Sequence, residues 1–512
     1  MEMAETPDVV ETVKQGYAFE GAAIELGALL VDGTPDPSAA VRIPLSMVNR
    51  HGLVAGATGT GKTKTLQLMA EQLSAAGVAV FAADIKGDLS GISQPGEGSE
   101  KLLSRTKTIG QDWVGTGFPT EFYALGGQGS GVPVRATITS FGPVLLSKVL
   151  GLNDVQESSL GLIFHYADKR GLTLLDLKDL RAVITHLTSD EGKGDLKELG
   201  GLSAATAGVI LRSLIGFADQ GAEAFFGEPE FDTADLLQQR DGKGVISLLE
   251  LPNLQDRPAL FSTFLMWLLA DLFHDLPEVG DVDKPKLVFF FDEAHLLFDD
   301  ASKAFLDSIA QTVRLIRSKG VGVFFVTQTP KDVPDDVLAQ LGSRVQHQLR
   351  AHTPNDAKAL KATVSTFPNS SYELAEVLTQ LGIGEAIVTV MNEKGAPTPV
   401  AWTRLRAPQS LMAPASAEQL AATVAASPNT AKYTEVVDRE SAYEKLAAKV
   451  QAGAAQAEAE AQPQRSEPTP RAPKQDKSMV EKVIGSSAFK QFARSAGREI
   501  VRGLFGAARR KR

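Results

Sequence analysis

GLVAGATGTGKTKTLQ, residues 52–67, joins an apolar run to a helical pattern through a turn with three glycines, a lysine and a threonine at fixed spacing. Gly56 to Thr63 (GATGTGKT) matches G-x-x-x-x-G-K-[ST] without departure, and each residue type has a physical reason to be there. The glycines let the backbone turn so that its N–H groups point inward at phosphate oxygens. A helix starting near Lys62 adds its positive dipole end. Lys62 supplies a mobile positive charge to the β and γ phosphates, and Thr63 a hydroxyl for Mg²⁺. Gly56, Ala57, Thr58, Gly59, Thr60, Gly61, Lys62, Thr63 and Lys64 are therefore the expected nucleotide-binding set. A plain helix cap in a glycine-rich turn is the alternative. Context argues against it, because an apolar strand (HGLVAG) precedes the turn and a good helix (KTLQLMAEQLSAA) follows it.

Gly77 stops that helix, and VAVFAADI reads as the next strand, which completes a βαβ unit and implies a parallel sheet. Upstream, AAIEL and VRIPL are short strand-like runs split by the turn-rich DGTPDPSA. Downstream, GVISLLEL, KLVFFFDE, GVGVFFVTQ, RVQHQL and EAIVTVM are strand candidates with helices between most of them. VFFF and VFFV are continuous apolar runs, as strands covered on both faces should be. The fold class is α/β, with a mainly parallel sheet covered by helices. The expected organisation has six parts: an N-terminal β segment (1–50), a phosphate-loop part of the core (51–144), a mostly helical insertion (145–240), a second core part (241–406), a partly low-complexity linker (407–477) and a basic amphipathic helix (478–512).

The second half of a nucleotide site should be an acidic residue ending a buried strand. KLVFFFDEAH supplies Asp292 to hold Mg²⁺ and Glu293 to take a proton from attacking water. Alone, the pair could merely terminate a strand; with the phosphate loop it reads as chemistry. The adjacent glutamate favours a water-attacking ATPase over a small-molecule kinase. No N-K-x-D base-reading motif of a GTPase is present. GVGVFFVTQTP ends its strand on Thr327-Gln328, where Gln328 is placed to sense the γ-phosphate, or is simply a polar strand end. Arg314 and Arg317 lie about one helical turn apart just before that strand, either within reach of a phosphate in the same subunit or solvated. Arg50, Arg344 and Arg350 are further candidates to project across a subunit interface.

The set GATGTGKT, FFFDEAH and RLIRSKGVGVFFVTQTP resembles the HerA/FtsK superfamily of P-loop ATPases, and more closely the bacterial YjgR-type HerA-like proteins. The likeness runs from IELG near residue 24 to EAIVTV near 385, through DIKGDLSG, FFGEPEF, LPEVGDVDKPK and QLGSRVQHQLRAHTPND, and SAGREIVRGLFG is also similar to that group. The resemblance implies a RecA-like (ASCE) core, a hexameric ring and ATP with Mg²⁺ between subunits. It carries Lys62, Thr63, Asp292, Glu293 and Gln328 onto nucleotide roles, places Asp84 and Asp88 near the site, and makes Arg317 the match for an arginine acting within the subunit. Only about 50 residues precede the loop, where HerA proteins carry a small β-barrel.

Composition bounds the partners. The absence of cysteine excludes disulfides, thiolate-bound zinc and cysteine nucleophiles. The acidic N-terminus has no signal-like apolar region, and LFSTFLMWLLADLF and KLVFFFDEAHLLF fall short of the roughly 20 residues that span a bilayer, so a cytoplasmic protein is expected. Net charge is −10, divided between +7 on residues 478–512 and −17 on the rest. An acidic body argues against coating nucleic acid but leaves room for a narrow basic pore. Two functions compete: a ring-forming homo-oligomeric motor, a hexamer, acting on DNA; and an ATP-switched scaffold or remodeller acting on a protein. In the tail, Phe489, Phe492, Ala493, Ala496, Ile500, Leu504 and Phe505 share one helical face, with Arg494, Arg498, Arg502 and Arg509 mostly elsewhere. Such a helix suits an anionic surface, or packs back on the core.

Overall fold

The structure is a computed structural model that describes residues 9–192, 194–195, 201–251, 258–298 and 303–460. The expected tail helix lies outside the described residues. The chain divides into one compact unit to Val450 and a second from Gln451. Of the second, only the end of the helix Ala442–Glu460 is described. Among the described residues, no helix is long and apolar enough to cross a membrane.

The strands are β1 (Ala23–Val31), β2 (Thr34–Pro44), β3 (Gly52–Ala55), β4 (Ala79–Asp84), β5 (Thr120–Leu125) and β6 (Val132–Val134). A small hairpin, β7 (Gln239–Arg240) and β8 (Lys243–Gly244), precedes β9 (Ile246–Glu250), β10 (Leu287–Phe291), β11 (Val321–Thr327), β12 (Ser343–Gln346), β13 (Glu385–Thr389) and β14 (Ala401–Leu405). Twelve of them form one sheet in the order β2-β1-β14-β13-β12-β3-β11-β10-β4-β9-β5-β6. From β12 to β6 neighbours run parallel, and β13, β14, β1 and β2 extend the sheet antiparallel. This is the mainly parallel, helix-covered architecture expected from the sequence, and the strand carrying Gln328 lies between those carrying the phosphate loop and Asp292.

The continuous apolar runs have the reason given for them. Leu287, Phe289 and Phe291 of β10 enter one core, and Val288 and Phe290 enter the other. The first core is roofed by Pro258–Asp275 and by the helices Ile138–Val149, Asp154–Lys169, Leu177–Thr188 and Ala204–Asp219. The second is closed by the helix Lys62–Ala75 together with β1 and β2.

Two expectations change. DGTPDPSA does not separate two short strands: only Asp32 and Gly33, both at positive φ, make the turn, and the prolines continue into β2. They are tolerated because β2 is an edge strand whose register with β1 slips past Ala28. Residues 407–450, read as linker from composition, pack onto the core. Glu71 of the helix Lys62–Ala75 accepts the Gln409 and Ser410 amides at 2.8 and 3.0 Å, and Tyr433 is fully buried. The hydrophobic pattern weakens past Pro408 and does not disclose those few anchoring contacts.

Candidate nucleotide site

The site assembles at the C-terminal ends of the parallel strands, where successive loops converge. Gly56 leaves β3 and donates its amide to Thr327 O of β11 at 3.2 Å. Ala57 donates to Gln348 O at 2.8 Å, and Thr60 O accepts Gly384 N at 3.3 Å. Gly59 and Gly61 hold positive φ of 82° and 114°, which frees the loop to curl and open the helix at Lys62. A Cβ on Gly56 would stand 2.5 Å from His347 Cβ, so that position has no room for a side chain.

Lys62 is only 8% exposed and donates to Gly56 O at 2.7 Å and Ala57 O at 3.2 Å. Its ammonium thus rests on the loop's own carbonyls, where a phosphate would replace them. Burial pulls its pKa down, against the charges of Glu293 and Asp292. Thr63 is half-buried in the first helical turn. Lys64, grouped with the loop by sequence, points elsewhere: it donates to Gln67 Oε1 at 3.0 Å and faces Asp88, Asp84 and Glu71. It is not brought to the phosphate cradle.

Asp292 and Glu293 follow β10 directly. Burial pushes the Asp292 carboxyl up to about 7, although the Glu293 amide donates to its Oδ1 at 2.9 Å. Glu293 sits at φ 46°, a left-handed conformation that costs a glutamate about 1–2 kcal/mol. Burial would raise its carboxyl, but the hydrogen bond and charge of Lys86 outweigh burial and hold it below the ordinary value. Its second oxygen lies 3.4 Å from His295 Nδ1. Asp292 Oδ2 and Glu293 Oε2 are both buried without a hydrogen-bond partner. Among the described residues no group of three or more acidic or histidine side chains is arranged to hold a metal alone. The residues fit a cation shared with phosphates: Mg²⁺ typically takes one or two carboxylates plus phosphate oxygens, and here Asp292 would supply the carboxylate and Thr63 a hydroxyl.

Gln328 is exposed immediately after β11, whose Thr327 carbonyl already holds Gly56. Asp84, at the end of β4, caps its own turn by accepting the amides of Gly87 at 2.7 Å and Leu89 at 2.9 Å. Asp88 keeps one buried oxygen without a partner. That turn contributes Lys86 to Glu293, a residue the motif reading passed over.

Arg317 is corrected by the structure. It precedes β11, at the N-terminal ends of the strands, beside Arg50 and Asp281. The seven residues of β11 separate it from Gln328 by roughly 23 Å at ~3.3 Å per residue, so it does not serve the site of its own subunit. Arg50 lies 3.8 Å from Asp281 at the same edge. Arg314 lines a shallow groove with Asp307, Gln311 and Asp336, and Arg344 binds Thr366 O at 3.1 Å. Arg350, one of the candidates to reach across an interface, is exposed and donates to Thr58 O of its own loop at 3.2 Å.

His347 is the other residue that pattern did not reveal. It is fully buried behind the loop, with Nε2 2.9 Å from Thr65 Oγ1. Burial, reinforced by Lys62, lowers its pKa to about 4 from 6.5. The folded value lies below the unfolded one, so unfolding takes up a proton as pH falls. The stability from the neutral ring is therefore complete above pH 6.5 and is lost progressively towards pH 4, by about 3 kcal/mol in all. Urea midpoints across that range should fall less steeply for His347→Gln than for the parent. Equal slopes would contradict the assignment.

Together these features define a P-loop NTPase with a RecA-like sheet. The chain belongs to the helicase HerA-like C-terminal family, whose description matches residues 30–512. It is 23% identical over 385 residues to the DNA double-strand break repair helicase HerA of Saccharolobus solfataricus, covering 74% of this chain and 68% of that protein. It is 32% identical over 153 residues to the probable helicase MJECL08 of Methanocaldococcus jannaschii, spanning 28% of each. Among solved structures, the bacterial conjugative coupling protein TrwB shares the fold. Its sulphate complex gives a TM-score of 0.52 at 18% identity over 78% of this chain and 95% of that one. Its complex with ADP and Mg²⁺ gives 0.50 at 18% identity over 77% and 98%.

Proposed function

We propose that the chain binds and hydrolyses ATP·Mg²⁺ as a ring-forming motor, a hexamer, acting on DNA. The observation that carries the reading is the convergence of Lys62, Asp292 and Glu293 on one cradle across β11. The loop amides and Lys62 bind and orient the phosphates. Thr63 and Asp292 hold Mg²⁺, which when bound neutralises phosphate charge. Glu293, kept ionised by Lys86, accepts the proton of the attacking water, and Gln328 orients that water. Arg50 and Arg317 face away from their own cradle and are the candidates to reach a neighbouring subunit's.

DNA as the partner rests on the likeness to the HerA repair helicase. The acidic net charge of −10 favours a second reading, in which ATP switches a scaffold or remodeller of proteins. Phosphate release is expected to rise on adding duplex DNA, and light scattering with a non-hydrolysable analogue is expected to report a hexamer. A rate indifferent to DNA favours the second reading. A monomer under all nucleotide conditions contradicts the ring-forming motor. In a working ring, an Arg317→Ala chain should regain activity when mixed with Lys62→Ala subunits.

A further inference from the structure

Sheet order gives the bound nucleotide a direction. The groups that act on the terminal phosphate stand on β10 and β11, on one side of β3. On the other side lie β12 and then β13, which is antiparallel to β12 and so begins at the loop-bearing edge. A phosphate chain with its γ end towards Asp292 and Glu293 leaves its nucleoside end over the start of β13. The residues there are Gly382, Ile383 and Gly384.

That turn is fixed to the phosphate loop. Gly384 N donates to Thr60 O at 3.3 Å, and Gly384 O accepts Arg105 Nη2 at 2.9 Å and Leu405 N at 3.0 Å. Gly384 holds φ 75°, a conformation that favours glycine, and a Cβ there would stand 2.5 Å from Arg105 Nη2 and displace that guanidinium. Gly382 N donates to Glu385 Oε2 at 3.0 Å. Between these anchors Ile383 is 77% exposed, the most exposed large apolar side chain among the described residues. A rigid turn that holds an isoleucine in water beside the cradle offers apolar area without a covering partner from its own chain.

We propose that Ile383 is the platform on which the nucleobase end of the nucleotide rests, an affinity-contributing contact that builds on the ATP-binding reading. The side chain has no donor or acceptor, so it binds the flat apolar face of a base and does not read its edge. Recognition is then split: the loop and Lys62 hold the phosphates, and Ile383 holds the base.

Calorimetric titration of the full chain with Mg·ADP and with Mg·tripolyphosphate, which has no base, separates the two. Ile383→Ser is expected to weaken ADP binding about ten-fold, from losing the contact of one apolar side chain without adding a charge. Tripolyphosphate affinity should stay within about two-fold, and Ile383→Leu should bind both as the parent does. Unchanged ADP binding by Ile383→Ser overturns the proposal. So does an equal loss for both ligands, which would mean that the turn acts only through the loop. A parent chain that binds neither ligand removes the phosphate-loop reading, and the platform with it.

Discussion

Replacing Glu293 with glutamine is expected to slow ATP hydrolysis by roughly 100- to 10,000-fold, the usual contribution of a positioned general base, while nucleotide affinity stays near that of the parent. The amide is close in size and shape to the carboxylate, so the turn at φ 46° and the contact with Lys86 can both persist. What is lost is the ability to accept water's proton. The state of the native group favours this role: Lys86 keeps it ionised despite burial, and one of its oxygens is left without a hydrogen bond. Single-turnover phosphate release with a parallel binding titration measures both halves. Hydrolysis by Glu293→Gln at the parent rate would show that the proton goes elsewhere.

The second large effect is expected at Lys62. In the structure its ammonium is held by Gly56 O and Ala57 O, within the field of Asp292 and Glu293. A phosphate replaces two neutral acceptors with a charged one, and hydrogen bonds to charged groups contribute about 1.5–3 kcal/mol each. Lys62→Ala should therefore weaken Mg·ADP binding roughly ten- to hundred-fold. Fold stability should not fall with it, because removing a buried ammonium also removes its desolvation cost. Fluorescence or calorimetric titration beside a urea melt makes the comparison. Unchanged affinity would remove the phosphate-loop assignment, and a collapsed melt would mean that Lys62 supports the fold.

The legible parts of the site were those whose chemistry is local in sequence. Gly56 to Thr63 states its own backbone geometry, and Leu287–Phe291 followed by two acids states both a doubly buried strand and what stands at its end. The sheet class followed from the same runs. The residues that were missed come from distant segments whose approach is a tertiary fact. Lys86 arrives from the turn after β4, His347 from beyond β12, and Ile383 from the start of β13. Nothing in the spacing of those segments connects them to residue 56. Arg317 failed for a different reason. Its nearness to β11 in sequence suggested nearness to the site, yet an extended strand carries its two ends far apart. Strand direction could have corrected this, since the loop and the acid pair both follow their strands whereas Arg317 precedes one. The packed segment 407–450 was hidden because its anchors, Ser410, Asn429 and Tyr433, are a few buried residues in an otherwise polar stretch.

The central claim is that one cradle binds ATP and hydrolyses it with Glu293. The most direct measurement is phosphate release from Mg·ATP by the purified full chain, run beside Glu293→Gln and Lys62→Ala at the same protein concentration. The account predicts sustained multiple turnover by the parent that stops when magnesium is chelated, and near-background release by both variants. Release by the parent no faster than by Glu293→Gln would contradict it.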